Sequence, residues 1–342
     1  MKWKTWILLA MLVALAAYAA LFLFTRSRWL AAGNGISHTA DQIALLNFEG
    51  NADLYVWDAR TNEMTQLTKG HRLVQAAWSP DGGQLLLVTN EGALTLLDPD
   101  TAVTTPVDTG QIQVRDAVWS PDGRQIAFTA GGSIYVINSD GTNLARLADG
   151  REPDWSPDGR SLLFITQTEG EDGRLFSEIG AAEVAGSGRQ TRLSFPGEAS
   201  QPAWSPDGRT IFFLQLVRDA SGGVAGAELF LMDADGGNLR QLEPPARSET
   251  YPPINHTMPL SWSPDGREIL LANNAGEIYR YALETDEFTY TARGDYPIWN
   301  PGGTAIVYQK LMGRNSVCLL TDLGEECADL SLNGAELIEW RP

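Results

Sequence analysis

Five aspartates recur in one setting along the chain. Asp81, Asp122, Asp158, Asp207 and Asp265 each take the fourth place of a W-S-P-D-G pentapeptide. A series of carboxylates at a repeated position is what an acid–base or calcium-binding array would need. Their neighbours argue for a different role. Pro presets φ at the second position of a tight turn, Asp suits the third, and Gly accepts the positive φ that closes it. The five aspartates are therefore expected to form turns. Asp233 and Asp235 in "DADGGN" imitate the start of a calcium loop, but no acidic residue follows at the spacing of its last ligand. Three histidines (His38, His71, His256) and two cysteines are too few for a His/Cys zinc site of ordinary spacing. His256, in "NHTMP", is expected in a surface loop. The sequence contains no G-x-S-x-G elbow, no H-E-x-x-H pair, no Walker loop and no G-x-G-x-x-G before a helix. No catalytic residue, metal or cofactor is expected. With 43 acidic residues against 25 Lys and Arg, the formal charge of −18 repels phosphate backbones, and nucleic acid is not an expected partner.

The elements around these turns explain the repetition. An apolar run follows each one, such as "LLLV" at Leu85, "IFFL" at Ile211 and "ILLA" at Ile269. A second strand comes next ("SIYVIN" from Ser133, "ELFLMD" from Glu228), then another turn and a polar third strand. The residues leading into each Trp form a fourth, so each repeat is an antiparallel A-B-C-D unit with Trp at the end of strand A. Trp78, Trp119, Trp155, Trp204, Trp262 and Trp299 are spaced by 41, 36, 49, 58 and 37 residues. Four-stranded repeats of about 40–45 residues mark a β-propeller. The tryptophans then pack between blades; a ligand-stacking platform is the alternative use.

The two ends set the number of blades. Residues 43–68 supply strands B, C and D without an A strand, and "AELIEWRP" supplies an A strand ending at Trp340, 41 residues after Trp299. Together they make a composite blade that closes the ring and removes open sheet edges. The expectation is an all-β, seven-bladed propeller over residues 43–342, with six or eight blades as alternatives.

These motifs resemble the WD40-like repeats of TolB-type β-propellers, which carry W-S-P-D-G, I-Y-x-x-D-x-D-G and R-x-L-T. "LYVWD…TQLT" at Leu54 and "LFLMDADGGNLRQLE" at Leu229 match that pattern. The resemblance covers residues 43–342 and implies the fold. Members of such families serve as protein-binding scaffolds, peptidase gates or sensor ectodomains. TolB propellers are usually six-bladed, against seven here, and the α/β domain of TolB is not expected in this chain.

Propeller topology places the A-B and C-D turns on one face and the D-A and B-C connections on the other. Three insertions fall on the second face: "TQTEGEDGRLFSE" from Thr166, "QLVRDASGGVAGAE" from Gln215 and "EPPARSETYPPINHTMP" from Glu243. Long connections on a rigid scaffold are where binding resides. On that face the residues that begin each strand A line the channel mouth: Gln75, Arg115, Asp116, Arg151, Glu152, Gln201, Asp295, Tyr296 and Glu336. A protein, peptide or small polar ligand is the expected occupant. A hydrolase or lyase working at the mouth and a purely structural envelope protein are the alternatives.

Cys318 and Cys327 belong to one C-D hairpin. Aligned with the other repeats, Cys318 takes the slot of Tyr55, Tyr135, Phe230 and Tyr279, and Cys327 that of Met64, Leu144, Leu239 and Phe288. A cross-strand disulfide is expected, with two small buried thiols as the alternative. A disulfide implies an oxidising compartment.

The first thirty residues suit another solvent. Residues 7–24, "ILLAMLVALAAYAALFLF", carry no charge over 18 positions, enough to span a bilayer as a helix. Lys2, Lys4, Arg26 and Arg28 flank the run, with Trp3, Trp6 and Trp29 at interfacial positions. Residues 1–28 are expected to anchor the chain in the membrane and 29–42 to tether the propeller. A cleaved signal peptide ending at an A-x-A site near Ala17-Tyr18-Ala19, releasing a periplasmic or secreted propeller, is the other possibility.

Overall fold

A computed structural model describes residues 41–47, 52–170, 173, 175–185, 190–193, 197–221, 224–242, 260–310, 316–329 and 335–342, with backbone only at 329 and 335–338. The expected anchor, most of the tether and the segment 243–259 with His256 lie outside these residues. Among the described residues no helix is long and apolar enough to cross a membrane.

The chain begins with β1 (Gln42–Asn47), β2 (Asp53–Asp58) and β3 (Glu63–Gln66). Blade 2 runs from its inner strand outward as β4 (Leu73–Trp78), β5 (Leu85–Thr89), β6 (Leu94–Leu97) and β7 (Thr104–Pro106). Blade 3 holds β8 (Arg115–Trp119), β9 (Gln125–Ala130), β10 (Ser133–Asn138) and β11 (Ala145–Asp149). Blade 4 holds β12 (Arg151–Trp155), β13 (Ser161–Glu169), β14 (Leu175–Glu183) and β15 (Gln190–Arg192). Blade 5 holds β16 (Ala199–Trp204), β17 (Thr210–Arg218), β18 (Val224–Asp233) and β19 (Arg240–Leu242). Blade 6 holds β20 (Ser261–Trp262), β21 (Glu268–Ala272), β22 (Glu277–Ala282) and β23 (Glu287–Arg293). Blade 7 holds β24 (Asp295–Trp299), β25 (Ala305–Gln309), β26 (Ser316–Thr321) and β27 (Gly324–Asp329). Last, β28 (Ala335–Trp340) pairs antiparallel with β1, Ile43 facing Trp340, and completes blade 1 in the order β28-β1-β2-β3. Seven four-stranded sheets result, and the expected closure between the two ends of the propeller is present.

Each W-S-P-D-G turn is held from within. In blade 2 the Ser79 hydroxyl donates to Asp81 Oδ1 at 2.6 Å and accepts the Gln84 N–H at 2.9 Å, while Gly83 N–H donates to Asp81 Oδ1 at 3.0 Å. The same serine–aspartate bond recurs at Asp122, Asp158, Asp207 and Asp265. These serine donors, followed by a backbone N–H, hold all five carboxyls below their ordinary pKa. The aspartates are occupied by the turn. The φ of +69° at Gly123 closes its turn, and its Cα faces the Pro80 ring of the preceding blade.

The core consists of blade-to-blade seams. Ala44, Leu46 and Leu54 of blade 1 meet Trp78 and Leu85 of blade 2, and equivalent clusters join the later blades through to Tyr308 of blade 7. Each fully buried Leu, Ile or Phe in such a seam contributes roughly 1.5–3 kcal/mol. At the seam between blades 1 and 2 Arg341, 5% exposed, donates from Nε to Gly82 O at 2.7 Å and from Nη1 to Gln42 Oε1 at 2.7 Å. Its guanidinium also lies over the Trp78 ring, 5.0 Å from the centroid.

Two expectations need correction. The insertions at Thr166 and Gln215 are largely strand, because β13–β14 and β17–β18 stay paired for nine or ten residues where most other blades use four to six. The slot given to Cys327 was displaced by two residues. Cys318 does face Cys327 and forms a disulfide with it, but Tyr55, Tyr135, Phe230 and Tyr279 face Gln66, Arg146, Gln241 and Tyr290. The reason is hairpin length. In blade 7, Thr321 pairs with Gly324 across two loop residues, whereas in blade 1, Asp58 pairs with Glu63 across four.

Candidate functional site

Strand A begins on the face of the B-C hairpins, and in most blades it begins with a bulge. The register slips between Arg115 and Val118, Arg151 and Asp154, Ser200 and Ala203, and Asp295 and Ile298. In each, the residue three before the Trp has left-handed backbone: Asp116 at φ +46°, Glu152 at +56°, Gln201 at +49° and Tyr296 at +51°. Bulky residues rarely adopt this conformation, and bulges re-aim side chains. Pro153, Pro202 and Pro297 follow three of them and fit because the next backbone position points into the open channel, where no sheet partner needs an N–H.

Several mouth residues bind their neighbours. The Gln75 amide donates to Ala117 O at 2.7 Å and accepts Ala117 N–H at 2.8 Å, joining blades 2 and 3. Glu152 accepts the Gln201 N–H at 2.7 Å and the Ser200 hydroxyl at 3.3 Å, joining blades 4 and 5. Arg151 Nε lies 3.1 Å from Glu152 Oε1. Arg115 donates to Asn90 O at 3.0 Å and Val114 O at 3.1 Å. Asp116 is exposed and makes no side-chain bond among the described residues. Burial raises the pKa of Asp295. Tyr296 is partly buried beside it, and Glu336 lies in the stretch of β28, residues 335–338, of which the backbone alone is described.

Two channel carboxylates escaped the sequence reading. Ser120 N–H donates outward to Gln125 O, so the Trp119 N–H before it points into the channel, and the other blades repeat this geometry. Asp154 Oδ2 accepts the Trp204 N–H at 2.8 Å and Glu339 Oε2 accepts the Trp78 N–H at 3.0 Å, each carboxylate reaching to the next blade. Burial pushes both carboxyls up to about 7, against the opposing pull of that single N–H. Their signal was available: the residue before the repeat Trp is Ala77, Val118, Ala203, Ser261 or Ile298 elsewhere, and acidic only here. Arg341 had one too, since "WRP" stands where five other repeats have W-S-P and one has W-N-P.

The extended hairpins stand on the mouth face. Glu178 is fully buried in the blade 4 arm, where Arg192 Nε approaches its Oε2 to 2.7 Å and the Thr168 hydroxyl donates to that oxygen at 2.7 Å. In the blade 5 arm Arg218 Nε lies 2.7 Å from Glu198 Oε1. Ser177 bridges to Gly197, and Leu216 N–H donates to Glu198 O at 3.0 Å, so the two arms are tied together. Leu175, at the end of the blade 4 arm, is 63% exposed. On the same face a cleft of about 590 Å³ opens beside blade 2, lined by Glu91, Leu94, Pro106, Thr109 and Ile112 among others.

A ring of seven antiparallel blades around a channel, one face flush with turns and the other carrying arms, defines a β-propeller. A family model of the TolB beta propeller domain matches residues 133–331, more than half of the chain, and the chain belongs to that family. No match was found among curated proteins. Among solved structures, TolB from Acinetobacter baumannii is similar with a TM-score of 0.55 at 19% identity, over 81% of this chain and 71% of that one. A putative TolB from Agrobacterium tumefaciens gives 0.52 at 20%, over 87% and 98%. An oligogalacturonate lyase in complex with manganese gives 0.61 at 17%, over 84% of each chain. At these identities the likeness is one of fold.

Proposed function

We propose that this chain is a membrane-anchored, extracytoplasmic propeller that binds a protein or peptide partner at its arm-bearing face and performs no chemistry. The observation that carries the reading is the asymmetry of the ring. One face is levelled by repeated W-S-P-D-G turns whose polar groups are satisfied internally. The other concentrates the tied arms of blades 4 and 5, the bulged mouth residues and the cleft beside blade 2. Rigid strands that project from a scaffold hold a binding surface in place better than loops do. Strained backbone at Asp116, Glu152, Gln201 and Tyr296 suits a surface maintained for contact. Asp116, Leu175 and Glu91 are the residues proposed to meet the partner first.

Purification of the intact chain from solubilised membranes tests this reading. The expected result is a stoichiometric partner that is lost when residues 167–177 are replaced by a two-residue turn; recovery of the chain alone favours a structural envelope role. Incubating the ectodomain with peptide and glycan libraries separates binding from the hydrolase or lyase alternative, since turnover contradicts the proposal. Protease added to spheroplasts should digest the propeller while the anchor stays with the membrane. A soluble form beginning near residue 20 would instead establish signal cleavage.

A further inference from the structure

The two cysteines have unlike surroundings. Cys318 has no exposed surface and packs with Leu270, Ala272, Ile278 and Tyr308 in the seam between blades 6 and 7. Cys327 lies on the exposed outer strand β27. Lys310 Nζ is 3.7 Å from Cys327 Sγ and 3.2 Å from Glu325 Oε2. The Tyr308 hydroxyl donates to the same glutamate, which fixes the carboxylate that orients the lysine. Thiolates form where a cation and solvent reach the sulfur, and apolar burial suppresses them.

From this asymmetry we infer that, in the reduced chain, Cys327 is the thiol that reacts with a disulfide oxidant, Lys310 stabilises its thiolate, and Cys318 is the resolving thiol. With glutathione disulfide as oxidant, the Cys327 thiolate attacks one sulfur, the oxidant's S–S bond breaks, and one glutathione leaves as thiolate. Cys318 then loses its proton and attacks Cys327 Sγ, expelling the second glutathione thiolate. Two electrons pass from the cysteine pair to the oxidant, and the two glutathione thiolates take up the two protons. The two-residue turn at Asp322-Leu323 keeps the cysteines directly opposite, so the resolving sulfur is already in place.

The test uses the full-length chain, reduced with dithiothreitol, desalted, and treated briefly with iodoacetamide at pH 7 under native conditions. Peptide mass mapping should find Cys327 alkylated about tenfold faster than Cys318, or more. Lys310→Met should slow Cys327 by about threefold and move its pH profile upward, because lost thiolate is partly offset by a more nucleophilic sulfur. Lys310→Arg should restore both. With glutathione disulfide, Cys318→Ser should accumulate an adduct on Cys327, and Cys327→Ser none on Cys318. Equal or faster reaction of Cys318 in the wild-type chain overturns the assignment. An unchanged rate and pH profile in Lys310→Met overturns the part given to the lysine.

Discussion

Asp154 and Glu339 carry the clearest pH signature in the molecule. Their folded pKa of about 7 lies above the ordinary carboxyl range, so the stability they contribute is complete below about pH 4 and is lost as pH rises through 7. The five turn aspartates have the opposite sign. Their pKa values are depressed, so their contribution is present above pH 4 and is lost as pH falls through the lowered values. Denaturant melts should therefore give maximal stability near pH 4 and a fall between about pH 4 and 7, where each raised carboxyl costs at most about 1.4 kcal/mol per pH unit. Asp154→Asn and Glu339→Gln should flatten the alkaline side; an unchanged profile in both variants would remove the two carboxyls from the explanation. These residues were hard to find from sequence because one acidic side chain before a Trp looks like any solvated carboxylate. Only comparison across the repeats makes it an exception.

At the scale of elements, β28 is the strand on which ring closure depends. Without it β1 loses its inner partner, and Trp340, 5% exposed, no longer fills the last seam. Trp340→Ala should lower stability by about 3–5 kcal/mol, as removal of a large buried ring does. Deleting residues 335–342 should abolish the cooperative melt, although the segment is only one strand at the end of the propeller. A truncated chain that melts like the parent would show that the ring does not need this strand. Arg341→Ala should cost less than Trp340→Ala, because it removes two hydrogen bonds and a cation–π contact but no packed ring. Blade number and closure were legible because each repeat carries its own Trp and turn. The arms read as loops in the sequence because "TEGEDGR" carries the Gly and Asp of a turn and Gln167, Ser177 and Glu178 beside it are weak strand formers. Pairing between the two flanks, rather than local preference, extends the strands there.

For the whole molecule, the ring is a rigid ground on which two faces do different things. W-S-P-D-G fixes the turn face locally, which is why its role could be read residue by residue. The mouth was only partly legible: its residues fall on the expected face, but Gln75, Glu152 and Arg115 serve the seams, and sequence spacing cannot separate a seam residue from a ligand-facing one. The central claim is that partners meet the arm-bearing face. The most direct test places a photo-crosslinking residue in turn at Asp116, Leu175 and Glu91 on that face and at Arg124, Arg160 and Arg209 on the turn face, in cells at native expression. The expected result is one crosslinked species of constant mass from the first three positions and none from the others. Crosslinks confined to the turn face would contradict the account.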